Sequence, residues 1–287
     1  CSIPVIWSSP SSGNTVGSLI GHVALSGDAS DVLIRDIESA TQIRLDEPEG
    51  GSWSGGLIGT VVVRDAPNAT IAADDVTISG TLESTASFNA NGALGGLVGL
   101  IAINRSENAS ISIDRVGSTV DIGILANEET SNGALGGLVG QLVVDERPVA
   151  ISVRRSFADT VFTSVNENRL SGAGGLLGRM GMQTSSSQLL VDTCYVRADE
   201  ALPEDLVESR PLVGIAPDGA VSFHDGYVQA APRLVAGWNR SAAGITVPIG
   251  VTLLDSEKIL DPEAFLGLGW DFSETWVAAE GLPPRLR

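Results

Sequence analysis

The chain has 287 residues, of which 35 are acidic and 17 basic, giving a formal net charge of −18. Nucleic-acid affinity depends mainly on Lys and Arg side chains that neutralise phosphates, so this charge argues against a nucleic-acid partner. No run approaches the ~18 apolar residues that a membrane-spanning helix requires, so the sequence predicts none.

The first segment, residues 1–12, is predicted to be an extended lead-in, because Pro4 and Pro10 cannot donate the hydrogen bonds of a central strand. Cys1 allows two interpretations. It is the residue that would carry the lipid in a processed bacterial lipoprotein, or it is an ordinary N-terminal residue. A lipid at Cys1 is the one route to a membrane that the sequence offers.

Residues 13–229 are organised around a five-residue box, Gly-Gly-Leu-Val-Gly, and variants of it. The boxes end at six structural glycines: Gly21, Gly59, Gly99, Gly140, Gly178 and Gly214. Their spacings are 38, 40, 41, 38 and 36 residues. A regular period of this length indicates a repeat protein in which each unit packs on its neighbours.

Each repeat is predicted to hold three strands. After the box at residues 95–99 comes an alternating apolar run at 100–103, then a polar turn, then strands at 110–116 and 119–123. Period-two alternation and β-branched residues predict strands, and no part of the repeat keeps the 3.6-residue period of a helix. The corresponding second strand of the sixth repeat is predicted at residues 220–226.

Two architectures fit such a repeat. A propeller blade has a similar length but needs four strands and a closed ring. A parallel β-solenoid stacks equivalent residues of successive coils ~4.8 Å apart, so the same apolar types recur at the same positions, as they do here. The sequence therefore predicts an all-β, right-handed parallel β-solenoid of about six coils.

Residues 230–287 are predicted to form a final coil and a C-terminal cap. Short helices can begin at Asp255 or Ser256, and at Asp261, which Pro262 follows. Four aromatic residues supply bulk for the cap: Phe265, Trp270, Phe272 and Trp276. An open solenoid end exposes apolar residues and unpaired strand edges, so a cap is physically required.

The glycine boxes, together with the ending at residues 260–265, 269–272 and 281–286, resemble GLUG-motif repeat proteins. These are secreted and surface β-solenoid proteins, and they include bacterial adhesins and non-catalytic portions of some IgA-cleaving peptidases. The resemblance covers almost the whole chain and implies an extracellular or cell-surface location. The sixth box departs from the pattern, because Arg210 and Pro211 replace its first two glycines.

A search for catalytic or metal-binding groups predicts no catalytic residue, cofactor or metal site. His22 and His224 are the only histidines and lie in different repeats, and the peptidase phrase His-Glu-x-x-His is absent. Three acidic pairs are assigned to solvated turns: Asp46-Glu47, Asp74-Asp75 and Glu204-Asp205. Four Asn-x-Ser/Thr sequons give candidate glycosylation sites at Asn68, Asn104, Asn108 and Asn239.

The remaining cysteine, Cys194, aligns with small or apolar residues of other repeats: Ile37, Val116, Ser156 and Gly226. This position predicts a buried, unpaired thiol inside the rod. Two cysteines are also too few for a disulfide framework. A Cys1–Cys194 disulfide is not expected, because several coils should separate the two residues.

These observations favour a non-enzymatic extracellular structural or adhesive protein. Its expected partners are copies of itself, surface glycans and host or partner proteins. The apolar strand at residues 3–7 is too short to cover the N-terminal end of the solenoid. A preceding segment, a membrane surface or a second copy would cover that end. In the last case residues 1–10 would add a strand to the neighbour and build a head-to-tail filament. The alternative is a carbohydrate-binding or polysaccharide-modifying solenoid.

Overall fold

The computed structural model of the chain describes residues 2–7, 14–28, 30–46, 52–85, 92–125, 133–144, 147–164, 172–182, 188–201, 209–210, 228–230, 234–238, 251–254, 258–268, 270–279 and 281–287. The predicted all-β class is confirmed. Every strand pair between successive turns of the chain is parallel, and one antiparallel pair occurs near the C-terminus. None of the described helices is long and apolar enough to cross a membrane.

The strands of the first three coils follow one pattern. They are β1 (Ser2–Trp7) before the first coil; β2 (Thr15–Gly17), β3 (Ile20–Leu25) and β4 (Asp31–Leu45) in the first; β5 (Trp53–Gly55), β6 (Ile58–Arg64) and β7 (Thr70–Ser84) in the second; and β8 (Ala93–Gly95), β9 (Val98–Asn104) and β10 (Ala109–Ile124) in the third. The second and third predicted strands are thus one continuous strand in these coils.

From the fourth coil onward the long strand is divided in two. The fourth coil has β11 (Ala134–Gly136), β12 (Val139–Val144), β13 (Val149–Arg154) and β14 (Phe157–Ser164), and the fifth has β15 (Gly172–Gly174), β16 (Leu177–Met182), β17 (Gln188–Asp192) and β18 (Tyr195–Ala201). The sixth is represented by β19 (Ser209–Arg210), β20 (Val228–Ala230) and β21 (Leu234–Trp238), and β22 (Val251–Leu254) follows.

The strands stack into three sheets that run along the solenoid. The first sheet orders β2, β5, β8, β11, β15 and β19; the second orders β3, β6, β9, β12 and β16; the long sheet begins with β1 and β4 and ends with β21 and β22. Four turns separate the five strands of the second sheet, so the described residues make about four turns of the solenoid. This count is slightly lower than the predicted six coils, and most of the sixth coil lies outside the described residues.

The register agrees with the predicted period over five coils. In the second sheet, Ile20 pairs with Ile58, Ile58 with Val98, Val98 with Val139 and Val139 with Leu177, which repeats the spacings of the boxes. The sixth coil departs from the prediction. Its strand beside Leu189–Val191 is Val228–Ala230, whereas the predicted strand at 220–226 lies outside the described residues.

The long strand bends at one position in each coil. The residue there has a positive φ, as in Asp36 (54°), Asp75 (53°) and Arg115 (50°). This left-handed conformation turns the chain so that the next residue points into the solenoid, and Val76 and Val116 are fully buried there. The core consists of such aliphatic rows, stacked coil on coil.

The box glycines are required by close contact between neighbouring coils. A Cβ atom on Gly96 would collide with the carbonyl oxygen of Gly137, and one on Gly99 would collide with the backbone nitrogen of Ser54. Neither collision can be relieved by rotating a side chain, because the opposing atoms are backbone. Gly59, Gly140 and Gly178 meet backbone atoms of the preceding coil in the same way, whereas Gly21 meets the Thr15 carbonyl oxygen of its own coil. Gly214 lies outside the described residues.

The predicted short helix is present in the C-terminal segment, and the role of this segment as a cap on the end of the solenoid stays a prediction. A single 3₁₀ turn (Lys258–Leu260) precedes α1 (Pro262–Leu266), and β23 (Trp276–Ala279) pairs antiparallel with β24 (Leu282–Leu286). The Asp261 carboxylate caps α1 by accepting a 3.0 Å hydrogen bond from the Glu263 backbone N–H, as the Asp-Pro sequence predicted. The position Asp255–Ser256 lies outside the described residues.

Candidate functional site: the uncovered first coil

The first coil exposes apolar rows that the second to fifth coils bury. Leu19 is 58% exposed, whereas Leu57, the next residue of its row, is 1% exposed. Ile20 is 37% exposed, and its neighbour Ile58 is fully buried. The residue types are the same, but Leu57 and Ile58 lie between two described coils, whereas Leu19 and Ile20 have a described coil on one side only.

The strand edges of the first coil are also largely unpaired. Within the described residues, β2 and β3 each have a strand on one side only, β5 and β6 respectively. β4 is paired on both sides only at Ala40–Leu45, where β1 lies beside it. Free N–H and C=O groups of this kind are a template for pairing with another strand.

The N-terminal lead-in is therefore an edge strand of its own coil. β1 tolerates Pro4 because it is the last strand of the long sheet, with no described strand on its outer side. It pairs within its own chain, from Ser2 beside Ala40 to Trp7 beside Leu45. The N-terminal end of the solenoid is consequently stepped, because β1 protrudes one strand beyond the other edges.

The histidines form no catalytic or metal-binding group among the described residues. The Nδ1 atom of His22 lies 2.5 Å from the Thr60 hydroxyl of the next coil, and His224 lies outside the described residues. No group of three or more His, Cys, Asp or Glu side chains in the described ranges is arranged to hold a metal ion.

Charged residues form a ladder at the bend of the long strand. The Arg115 guanidinium pairs with Asp74 at 2.8 Å and donates to Asp75 at 2.6 Å, and in the next coil Arg155 donates to Asp114 at 2.9 Å. The hydrogen bond from Arg115 lowers the pKa of Asp75. The Asp74-Asp75 pair is thus bound to the following coil, which sequence reasoning missed.

The cross-coil ion pairs within the described residues share one direction. In each, the carboxylate belongs to the earlier coil and the arginine to the later one: Asp65–Arg105, Asp74 and Asp75–Arg115, Glu107–Arg147, Asp114–Arg155 and Asp159–Arg197. Of the other predicted acidic pairs, Asp46 pairs with Arg44 of its own coil at 2.9 Å. Glu47, Glu204 and Asp205 lie outside the described residues.

Two sequon asparagines stack on each other at a surface turn. Asn68 and Asn108 are exposed and have positive φ values of 61° and 56°. The Asn108 amide donates to the Asn68 side-chain oxygen at 3.5 Å, and the Asn68 amide donates to Asp28 at 3.2 Å. Asn104 is half-buried at the end of β9, and Asn239 and Cys1 lie outside the described residues.

Cys194 is buried and unpaired, as predicted. Its Sγ atom lies 3.3 Å from the Asp192 carbonyl oxygen and 3.5 Å from that of Val153. Burial raises the pKa of the Cys194 thiol to about 12. The thiol is therefore protonated and inaccessible at neutral pH, which are the properties of a core residue and not of a reactive cysteine.

The sequence did not predict where the C-terminal segment contacts the solenoid. Phe265, Trp270 and Trp276 pack on Phe157 and Tyr195, two stacked outward-facing aromatics whose ring centroids are 5.0 Å apart. The sequence did contain a signal for this contact. The same row in earlier coils holds Glu38, Thr77 and Gly117, so two aromatics break the repeat where the segment packs.

An ion-pair cluster fastens the same segment. Asp159, whose side chain is only 7% exposed, pairs with Arg197 at 2.6 Å and with Arg285 at 2.8 Å. The Arg285 guanidinium also lies 5.0 Å from the centroid of the Phe157 ring, in cation–π geometry. These contacts cover the outer face of the fourth and fifth coils and leave the first coil untouched.

Comparison with known proteins assigns the chain to no family. No family model matches the chain, and no curated protein does. A solved structure named "IgA1 Protease" is similar, with 18% identity and a TM-score of 0.45; the match covers 95% of this chain and 19% of that one. The chain thus spans about a fifth of the length of that structure, and a GLUG motif is not shown.

The expectation that the chain is not an enzyme is corrected by this comparison. The similar structure is that of an enzyme, so the absence of a recognised catalytic motif does not exclude activity. The reasoning from sequence was too strong because it searched for known spacings, whereas catalytic groups in a solenoid can come from loops that share no spacing. The prediction that the chain is not an enzyme is therefore withdrawn.

Proposed function

We propose that this chain is an extracellular structural or adhesive β-solenoid of GLUG-like type, which associates with copies of itself end to end. The observation that carries the proposal is the first coil, with its exposed Leu19 and Ile20 and its unpaired strands β2 and β3. A strand edge of this kind is a template for pairing with another strand, so this surface is suited to another coil.

The energetics of the first coil favour an ordered partner. Full burial of a Leu or Ile side chain is worth about 1.5–3 kcal/mol. Leu19 and Ile20 are exposed, and Val23, Leu25, Val32 and Ile37 are only partly buried, so a covering coil would gain from each of them. The two ends of the chain differ, so the contact is heterologous and repeats without closing, which gives a filament.

The net charge of −18 favours association of such rods at their ends over association along their sides. Like charges on the sides repel neighbouring rods, while the apolar first coil attracts another end. The exposed sequon residues Asn68 and Asn108 fit an extracellular location, with surface glycans and host proteins as further partners. Attachment to a membrane would come only from a lipid on Cys1.

The experiment is to measure mass by light scattering, and length by electron microscopy, for the full chain and two variants. We expect the wild-type chain to form rods whose length grows with concentration. The double variant Leu19→Glu/Ile20→Glu should remain monomeric, because it places charges on the first coil. Val161→Glu is the matched control: Val161 is 36% exposed on β14 in the fourth coil, between the two ends, and should change nothing.

A monodisperse wild-type monomer at high concentration would refute the end-to-end proposal. Equal loss of assembly in the Val161→Glu control would also refute it, because the first coil would then have no special role. Circular dichroism and thermal unfolding of each variant identify any loss that comes from misfolding.

The carbohydrate-binding alternative has no exposed aromatic platform among the described residues. Phe157 and Tyr195 stack on each other beside the carboxylate of Asp159, but the C-terminal segment covers them, and burial raises the pKa of Tyr195. A glycan-array screen combined with hydrolysis and elimination assays distinguishes the two functions, and turnover of a polysaccharide would favour this one.

A further inference from the structure

The described residues between 258 and 287 form a unit of their own. Its two strands, β23 and β24, pair with each other and with no described strand of the solenoid. Backbone hydrogen bonds run inside this segment, from the Gly267 N–H to the Glu263 carbonyl oxygen at 3.0 Å and from the Trp276 N–H to that of Asp271 at 3.0 Å. The coils of the solenoid, in contrast, are joined by ladders of backbone hydrogen bonds. The segment is therefore attached to the solenoid mainly through side chains.

The segment also has a hydrophobic cluster separate from the solenoid core. The buried members of this cluster are Ile259, Phe265, Trp270 and Trp276 of the segment with Phe157 and Tyr195 of the solenoid. The aliphatic interior of the coils is a different cluster, to which none of these six side chains belongs. When contacts are divided in this way, one part of a protein can open while the rest stays folded.

Arg285 makes the charged contact between the two units. Its Nη2 atom lies 2.8 Å from the Asp159 carboxylate, which is 7% exposed, and its guanidinium lies 5.0 Å from the centroid of the Phe157 ring. Asp159 also pairs with Arg197 of the fifth coil at 2.6 Å. The face of the solenoid under the segment thus combines an aromatic plane with a nearly buried carboxylate, and this combination binds a guanidinium group.

The closed position of the segment buries polar atoms without partners. Among the described residues, no hydrogen-bond partner exists for the Tyr195 hydroxyl, the Trp270 and Trp276 ring nitrogens or the Arg285 Nη1 atom. The Tyr195, Trp270 and Trp276 side chains are at most 3% exposed. A buried polar group without a partner destabilises the state that buries it. The closed segment is therefore opposed by these atoms as well as stabilised by its aromatic contacts.

We propose that residues 258–287 are a lid that opens as a unit, and that the surface beneath it, made of Phe157, Asp159 and Tyr195, binds an arginine-bearing segment of a protein partner. Arg285 is the latch, and in the closed state it occupies the place that the incoming arginine takes. The Asp159 carboxylate selects a cation, and the Phe157 ring favours a flat guanidinium over the compact ammonium of lysine. The lid packs on the fourth and fifth coils, so this surface is separate from the exposed first coil.

The chain carries a specific probe for the opening of the lid. Lys258 is its only lysine, and the next residue, Ile259, is fully buried in the aromatic cluster. A lysine-specific endoprotease therefore cuts the full chain at one bond, at the first residue of the lid. When opening and closing are fast relative to cleavage, the cleavage rate is proportional to the population of the open lid.

The first comparison is between two arginines of the lid. Arg285→Gln should raise the cleavage rate at Lys258 by about tenfold or more, because it removes a hydrogen bond between charged groups at a nearly buried carboxylate. Arg287→Gln is the matched control. Arg287 donates at 3.0 Å to the Phe272 carbonyl oxygen inside the lid. Its replacement should change the rate by less than about twofold, as for most surface substitutions. Equal rates for the two variants would overturn the proposal.

The thiol of Cys194 shows whether the solenoid stays folded when the lid opens. Cys194 precedes Tyr195 in the chain but lies in the solenoid core, on the inner side of the fifth coil. In a Cys1→Ser background and without protease, it should remain unreactive toward a thiol reagent in the wild-type chain and in Arg285→Gln. Labelling of Cys194 as fast as cleavage at Lys258 would show that coil and lid open together, and it would overturn the lid.

A peptide tests the surface beneath the lid. The probe is a synthetic peptide of residues 276–287, which carries Trp276 and Arg285 and contains no lysine. Added to the wild-type chain, it should bind the open state and raise the cleavage rate at Lys258, whereas the same peptide with Arg285→Gln should not. Absence of acceleration, or equal acceleration by both peptides, would overturn the arginine site. Each of these outcomes is independent of end-to-end association, which light scattering measures separately.

Discussion

The first and second coils share the box pattern but lie in two environments. Leu19 and Leu57 share a row, yet one is 58% and the other 1% exposed. Ser18 occupies the position of Gly56, and its hydroxyl donates to the Gly56 carbonyl oxygen at 2.5 Å. A coil enclosed on both sides requires glycine and buries its leucine. The first coil, which has a described coil on one side only, tolerates a side chain and exposes the same leucine.

The largest expected effect concerns the glycine position. Gly96→Ser in the third coil should cost about 4 kcal/mol or more, or prevent folding, because its Cβ would collide with the Gly137 carbonyl oxygen and the Ser118 side chain. Ser18→Gly makes the first coil match the others and should change stability by less than about 1 kcal/mol. Urea unfolding followed by circular dichroism measures both, and equal losses would contradict the comparison.

The leucine row gives the next largest effect. Leu57→Ala should destabilise the chain by about 2–5 kcal/mol, since it leaves a cavity between closely packed coils. Leu19→Ala should cost under about 1 kcal/mol in the monomer and instead weaken self-association, because Leu19 contacts solvent. The free energies of unfolding are compared at low protein concentration, where assembly does not contribute. A Leu19→Ala loss as large as that of Leu57→Ala would show that the first coil is covered.

The sequence predicted the regular coils better than the C-terminal part of the chain. The box spacing predicted the period and the parallel stacking, because each coil contacts only its neighbours and repeats the same solution. The box spacing could not predict where the regular repeat ends. The sixth coil and β22 deviate from the period, and the contacts of Phe157 and Tyr195 depend on residues more than 60 positions away, such as Phe265. The sequence also gave no basis for denying enzymatic activity.

A smaller effect concerns the reactivity of a cysteine thiol in the interior compared with one in the first coil. Cys194 should not react with a thiol reagent at pH 8 until the chain unfolds, because burial raises its pKa from 9.0 to about 12. Ile37→Cys places a thiol in the same row at the uncovered end, where Ile37 is only partly buried, and it should react in the folded state. Rates of modification with and without urea measure this, and rapid labelling of folded wild-type chain would contradict it.

The raised pKa of Cys194 also predicts that the stability of the chain depends on pH. The folded pKa of Cys194 is raised, so its contribution to stability is complete below the ordinary thiol value of 9.0 and is lost as the pH rises through about 12. Cys194→Ala should reduce this loss of stability above pH 9. Urea midpoints at pH 8 and pH 10 test it, and an unchanged difference between wild type and variant would argue against a buried thiol.

The smallest effect concerns the charged ladder. Arg115→Gln should cost about 0.2–1 kcal/mol, and less at high salt, because Arg115, Asp74 and Asp75 are partly exposed to water. The lowered pKa of Asp75 contributes stability above its ordinary value of 3.8 that is lost as the pH falls through its folded value. NMR titration of Asp75 reports the change directly.

The parallel stacking of the coils also sets a length. The long sheet stacks six strands from β4 to β21, so at ~4.8 Å per layer these strands span ~24 Å along the solenoid. Oriented samples of the protein would then diffract with a meridional reflection near ~4.8 Å. The coil is in this way a unit of length, because each box-to-box spacing of 36 to 41 residues advances the chain by one layer.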